Sequence, residues 1–280
     1  MGRVRVVTDS SANIPLELVR DLDIQVVPLM LNVGGDILRD GVDITPGEFY
    51  RRQREQKFSA KTSSPSVADF LHAYTAQPVP REGIVSIHLP SRLSGTLEVA
   101  RTASSLIDEA DVQVVDAQSV AIAQGFVVIG AARAAYEGKD IHTVIESAQR
   151  IALKVHFFAM LDTLEYLHRG GRIGGVQALM GMMLRIKPIV YLVDGRVEPL
   201  AKTRTKTKAL DFMLGRIKLL SGGCPIHAAV LHSDEGAEAE DFRNRIEKRF
   251  DCLELYVTEL TPVMGAHSGP GVMGLAFYTD

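Results

Sequence analysis

The residues best suited to chemistry lie between Ser91 and Thr96, which read Ser-Arg-Leu-Ser-Gly-Thr. Ile84, Val85, Ile87 and Leu89 precede them as a short apolar run, and Leu97, Val99 and Ala100 open a helical pattern behind them. A strand that feeds a helix through Ser94-Gly95-Thr96 sets backbone N–H groups and the positive end of a helix dipole at the strand's C-terminal edge. Ligands of open α/β sheets bind at that edge, and the ligand such a place favours is an anion. Ser94 adds a hydroxyl donor. The competing reading is that Ser94 only caps the helix, and on this stretch alone both stand.

Four other stretches carry groups of related kind. Thr8-Asp9-Ser10-Ser11 follows a first strand at Val4 to Val7; turn chemistry accounts for Asp9 and Ser10, with a place on the rim of a site as the second option. Lys61-Thr62-Ser63-Ser64-Pro65-Ser66 opens a helix at Pro65. Ser64 is sufficient as its N-cap, so Thr62 and Ser63 are surplus to capping and available to a ligand. Near the C-terminus, Gly265-Ala266-His267-Ser268-Gly269-Pro270-Gly271 reads as a glycine-rich loop that lets backbone approach a ligand closely. No apolar face there needs an imidazole, which favours a functional His267. Finally, Arg172 and Arg204 are flanked by small or hydroxyl residues, and arginine suits docking to an acidic partner or to phosphate.

Positioning these groups takes a regular scaffold. Up to Val155 strands and helices alternate: Ile24 to Val33 (with Pro28 marking an edge or bulge), a small hairpin over Gly34-Gly35-Asp36, a helix from the capping box Thr45-Pro46-Gly47-Glu48, Val112 to Val115, an apolar helix from Ser119 and an amphipathic one from Ile141. The pattern then changes to a strand from His156 to Leu161, a short helix ended by Gly170-Gly171, and a helix from Gln177 to Ile186 with Met180, Met182 and Met183 read first as core. A hairpin over Asp194-Gly195 follows, then a basic run at Lys202 to Lys208, a strand–helix–strand unit from Ile226 to Val257 and a last strand at Leu275 to Tyr278.

Composition excludes several classes. A length of 280 residues suits two α/β domains or one large one, and 46% hydrophobic with 23% charged residues is ordinary for a globular protein. A net charge of −3 gives no reason to expect nucleic acid or an anionic membrane as main partner. Cys224 and Cys252 match no metal spacing and are expected reduced and buried in a cytoplasmic protein. No secretory h-region precedes the first strand, and the apolar tract from Val120 to Ala135 is too short to span a bilayer.

Taken together, Thr8-Asp9-Ser10, Thr62-Ser63-Ser64-Pro65-Ser66, Ser91 through Thr96, Leu164-Glu165-Tyr166-Leu167 through Gly171-Arg172-Ile173, and Gly265 through Gly271 resemble, in order and over essentially the whole chain, the DegV family of fatty-acid-binding subunits of bacterial fatty acid kinase. The resemblance implies an α/β fold of two domains with the ligand between them. Residues 1–157 would form an N-terminal domain with a mostly parallel sheet and flanking helices, and 158–280 a C-terminal α/β domain with a mixed sheet. It implies one bound fatty acid, palmitate- or oleate-like, and no other cofactor, metal or catalytic residue. The carboxylate would be held by Thr62, Ser94 and His267, and the supporting polar loops would be Ser63, Gly95, Thr96, Ser10, Gly265, Ala266 and Ser268. Arg172 and Arg204 match positions linked to docking of a separate ATP-dependent kinase subunit, which would phosphorylate the lipid to an acyl phosphate; membrane contact would be transient at most. The family often carries Gln where this chain has Ser64.

The energetics agree with such a ligand. Burying a sixteen-carbon chain contributes on the order of 10 kcal/mol before ordering costs, and a carboxylate withdrawn from water requires dedicated donors. Two alternatives belong to other classes: an acyl hydrolase or transferase with Ser94 as nucleophile, His267 as base and Asp9 or Asp116 as its orienting carboxylate, and a small-anion site for a sugar phosphate at the same elbow. Ser94 lacks the Gly-x-Ser-x-Gly elbow, and no Gly-x-x-x-x-Gly-Lys loop is present.

Overall fold

To Lys154 strands are interleaved with helices as the sequence pattern predicts, apart from a run of three strands over residues 25–39 and a pair of consecutive helices over residues 121–154. In the computed structural model, which describes residues 4–56, 60–76 and 82–280, the order is β1 (Arg5–Asp9), α1 (Leu16–Asp21), β2 (Gln25–Val27), β3 (Met30–Val33), β4 (Asp36–Arg39), α2 (Pro46–Gln56), β5 (Lys61–Ser63), α3 (Val67–Thr75), β6 (Ile84–His88), α4 (Thr96–Ser104), β7 (Val112–Asp116), α5 (Ala121–Tyr136) and α6 (Ile141–Lys154). The sheet β2-β1-β6-β7 is parallel throughout. Its central strand β6 is buried at every position, which is why it reads as a nearly continuous apolar run. Val7, Val27 and Ile84 pack with Phe70 and Tyr74 of α3 and Ala100 and Ala103 of α4 into one core. The expected strand from Ile24 to Val33 is two strands, because Pro28 and Leu29 interrupt it; β3 pairs antiparallel with β4 across Gly34-Gly35 in a three-stranded sheet ordered β4-β3-β5.

The remainder is β8 (His156–Met160), α7 (Glu165–Arg169), a 3-10 helix over Gly174–Arg185, β9 (Lys187–Val193), β10 (Arg196–Thr203), α8 (Lys206–Ser221), β11 (Ile226–His232), α9 (Gly236–Glu247), β12 (Cys252–Glu259), α10 (Pro262–Ser268) and β13 (Met273–Tyr278). These strands make a mixed sheet, β10-β9-β8-β13-β11-β12, in which only β11 and β12 run parallel. Met213 and Ile217 of α8 and Phe242 and Ile246 of α9 close one core with Phe158, Val230 and Leu275.

The chain divides into two units, one of Met1–Asp43 with Thr62–Leu153, the other of Ile44–Lys61 with Lys154–Asp280. The expected division at 157/158 therefore misplaces α2. Packing explains it: Phe49 and Tyr50 of α2 are fully buried, and the Tyr50 hydroxyl donates to the Leu260 carbonyl at 3.2 Å. Three further expectations change. The Met-rich helix is a 3-10 helix that buries Val176 and Leu179, three residues apart, and leaves Met182 45% exposed. Cys224 is exposed and Cys252 half-buried; both are free. The glycine-rich loop contains helix α10, started by Pro262 in its first turn. Among the described residues no helix is long and apolar enough to cross a membrane.

Candidate functional site: a hydroxyl elbow and a buried histidine

The elbow after β6 is built by the turn from Pro90, whose carbonyl accepts from the Leu93 and Ser94 N–H groups at 2.9 and 3.3 Å. Helix α4 then starts at Thr96 with Gly95 as its N-cap residue, so no side chain occupies the cap position itself. Ser94 Oγ stands in front of it. It accepts from the Thr96 N–H at 3.3 Å, lies 2.8 Å from Thr96 Oγ1 and 3.3 Å from Ser64 Oγ. Thr96 is fully buried, whereas Ser64 and Ser94 are half-buried. Ser94 thus satisfies one amide of the helix start and meets two hydroxyls, and in each of those two contacts either oxygen can be the donor.

Ser64 is not the cap of α3. That position belongs to Ser66, which accepts from the Asp69 N–H at 3.2 Å while the Asp69 carboxylate accepts from the Ser66 N–H at 2.7 Å, a capping box. Ser64 is thereby left to meet Ser94. On β5, Thr62 is half-buried and Ser63 exposed. Ser64 does not fill the capping role that Pro65 suggested for it; the Ser-x-x-Asp spacing at Ser66 is the signal that places the cap.

In the second unit His267 lies in the last turn of α10. Burial and the positive charge of Arg172 push its imidazole down to about 4, so it is neutral at pH 7 and donates through one nitrogen only. The glycines around it serve close packing. A Cβ on Gly170 would collide with His267 Nδ1, one on Gly269 with the Tyr166 ring, and one on Gly271 would stand 2.7 Å from Asp162 Oδ2. Ala266 and Gly265 are buried in α10, and Ser268 Oγ donates to the Met264 carbonyl at 3.0 Å. Arg172 bends back so that Nη1 donates to the Gly170 carbonyl at 2.6 Å, while Arg204 is exposed between β10 and α8.

The family model described as an uncharacterised protein of the DegV family matches residues 3–280. The chain belongs to the DegV family. A DegV domain-containing protein of Streptomyces coelicolor is 35% identical over 274 residues, 97% of each chain. Among solved structures, a fatty-acid-binding DegV family protein of Thermus thermophilus superposes with a TM-score of 0.93 at 33% identity, covering 99% of this chain and 100% of that one. DegV of Bacillus subtilis, described as a fatty acid binding protein, gives 0.92 at 29% identity over the whole of both chains.

Not every polar group of this DegV protein is available to a ligand. Ser10 Oγ donates to Asp40 Oδ2 at 2.6 Å and accepts from the Leu29 N–H at 3.1 Å, which fixes the first elbow to the β2–β3 connection. Asp9 is fully buried and accepts from the Ser11 N–H at 3.1 Å, the Ser11 hydroxyl, Gln124 Nε2 at 3.2 Å and His88 Nδ1 at 2.8 Å. Behind His88 the chain of bonds continues through Ser86 Oγ at 2.7 Å to Tyr74 Oη at 2.8 Å. Tyr74, pushed up to about 12 by burial, keeps its proton and donates to Ser86. The donor order that satisfies every atom runs Tyr74 to Ser86 to His88 to Asp9. Ser86, His88 and Asp9 thus form a Ser–His–Asp relay with no exposed atom, a structural network rather than a catalytic one. Asp9 and Asp116, which accepts from the Gln118 N–H at 2.7 Å, are both engaged locally. The relay is not among the sequence expectations, although its signal is present: Ser86 and His88 stand two apart on one face of an otherwise apolar run of Ile84, Val85, Ile87 and Leu89.

Proposed function

We propose that this DegV protein binds one long-chain fatty acid, with Thr62, Ser94 and His267 taking its carboxylate and Ser63, Gly95, Thr96, Gly265, Ala266 and Ser268 as the supporting loops. The observation that carries the reading is the elbow at Ser94: a half-buried hydroxyl, backed by Thr96, at the start of α4, where the N-cap residue Gly95 has no side chain. The full-length likeness to the fatty-acid-binding proteins of Thermus thermophilus and Bacillus subtilis supports it. Neutral His267 would contribute one N–H donor, and the Arg172 charge that disfavours a protonated imidazole favours an anion. Ser94's partners are hydroxyls and an amide, none of them a general base, which favours a carrier over a serine hydrolase. The bound lipid would be presented to an ATP-dependent kinase subunit docking at Arg172 and Arg204 in the cytoplasm, and leave as an acyl phosphate.

Mass spectrometry of the purified protein, first native and then after denaturation and organic extraction, tests the binding. The expected result is one fatty acid per chain in the wild type and substoichiometric lipid in Ser94→Ala, since a charge-assisted donor is worth about 1.5–3 kcal/mol. A lipid-free wild type whose melting temperature palmitate and oleate leave unchanged would overturn the reading.

A further inference from the structure

Hydrogen counting at the elbow leads to a residue that the family pattern does not supply. Ser94 Oγ has two lone pairs and one proton. The Thr96 N–H, at 3.3 Å, takes one lone pair. Two hydroxyls compete for what remains: Thr96 Oγ1 at 2.8 Å and Ser64 Oγ at 3.3 Å. If Ser94 gives its proton to an anion, its second lone pair accepts from one of the two and the other must donate elsewhere. Thr96 is fully buried and the nearer, so it donates into Ser94. Ser64 is half-buried, is not tied to the cap of α3, and faces Gly95, which presents no side chain to it. Its hydroxyl is the one free to turn outward.

From this we infer that Ser64 is a head-group residue of this chain: Ser64 and Ser94 form a two-hydroxyl clamp in which each donates to one oxygen of the same carboxylate. The inference rests on the fatty-acid reading above and adds to it a residue and a donor count. The 3.3 Å between the two oxygens suits a carboxylate, whose oxygens lie roughly 2.2 Å apart and accept along diverging lone pairs. The two hydroxyls lie within hydrogen-bond distance of each other, so each also has a partner in the protein.

Equilibrium dialysis of the delipidated full chain against radiolabelled palmitate and radiolabelled 1-hexadecanol tests it, because the alcohol keeps the chain and removes the anion. Ser64→Ala should weaken palmitate about ten-fold or more, the order of one hydrogen bond to a charged group, while changing 1-hexadecanol less than two-fold. Ser64→Thr, which keeps the hydroxyl, should restore palmitate binding. Ser64→Ala with wild-type affinity for palmitate would overturn the inference, as would equal losses for acid and alcohol or failure of Ser64→Thr to restore binding. Loss of palmitate in Ser94→Ala but not in Ser64→Ala would leave the fatty-acid reading intact and remove the clamp alone. A wild type that takes up no palmitate would remove both.

Discussion

A Cβ on Gly265 would stand 2.5 Å from Tyr50 Oη, 2.8 Å from Tyr50 Cζ and 2.9 Å from Phe49 Cε1, and both rings are buried. The rings cannot retreat, because they already meet edge to face at 5.3 Å and the tyrosine hydroxyl is held by Leu260. Gly265→Ala should therefore destabilise the protein by about 1–3 kcal/mol, as overpacking of a filled core does. Gly215→Ala, on an exposed stretch of α8 where a Cβ meets nothing within 4 Å, should stabilise by about 0.5–1 kcal/mol. Urea unfolding of the pair decides it, and equal shifts of one sign would contradict the packing account. At this scale the sequence was read unevenly. His267 stands out in the sequence as an imidazole among glycines, and what the sequence does not show is that Gly170, Gly265, Gly269 and Gly271 each leave room for a neighbouring side chain. Glycine in a sequence announces a missing Cβ and does not say which atom occupies the space.

Among elements, the relay from Tyr74 to Asp9 ties α3, β6, β1 and, through Gln124, α5 into one hydrogen-bonded unit beneath the elbows. Removing an interior link strands its neighbours in a dry interior, where an unsatisfied partner costs about 1–3 kcal/mol and a bereft charge more. His88→Ala should thus lower stability by about 3–5 kcal/mol, cavity included, and Tyr74→Phe by only about 1 kcal/mol, because Ser86 keeps its bond to His88. Chemical denaturation reads both values; a smaller loss for His88→Ala than for Tyr74→Phe would refute the relay. Most elements were legible because their signals are local: capping box, turn glycine, apolar period. The miss is α10, expected as a glycine-rich loop, whose helical state is set by what it packs against; the helix expected from Gln177 to Ile186 is present but wound as a 3-10 helix over Gly174–Arg185.

For the whole molecule, acid should be destabilising in a defined window. His156, His232 and His267 are all held below the usual imidazole value by burial, aided by the charges of Arg216, Lys206 and Arg172 respectively. Below about pH 6.5 the unfolded chain binds protons at these positions that the folded chain refuses, so stability falls as pH drops, reaching its full loss for His267 near pH 4. That one residue accounts for ~3 kcal/mol between pH 7 and pH 4. Urea unfolding of delipidated protein from pH 7.5 to 4.5 should give a shallower slope for His267→Gln than for wild type; parallel slopes would contradict the assignment.

The excursion of Ile44–Lys61 into the second unit has a consequence for the protein's birth. The Leu260 carbonyl that accepts from the Tyr50 hydroxyl lies 210 residues later in the chain. At ~5–20 residues per second of synthesis, α2 waits on the order of 10–40 s with Phe49 and Tyr50 unhoused. The nascent chain thus carries a largely charged helix whose two large aromatic side chains, Phe49 and Tyr50, stay open to water until the second unit is complete.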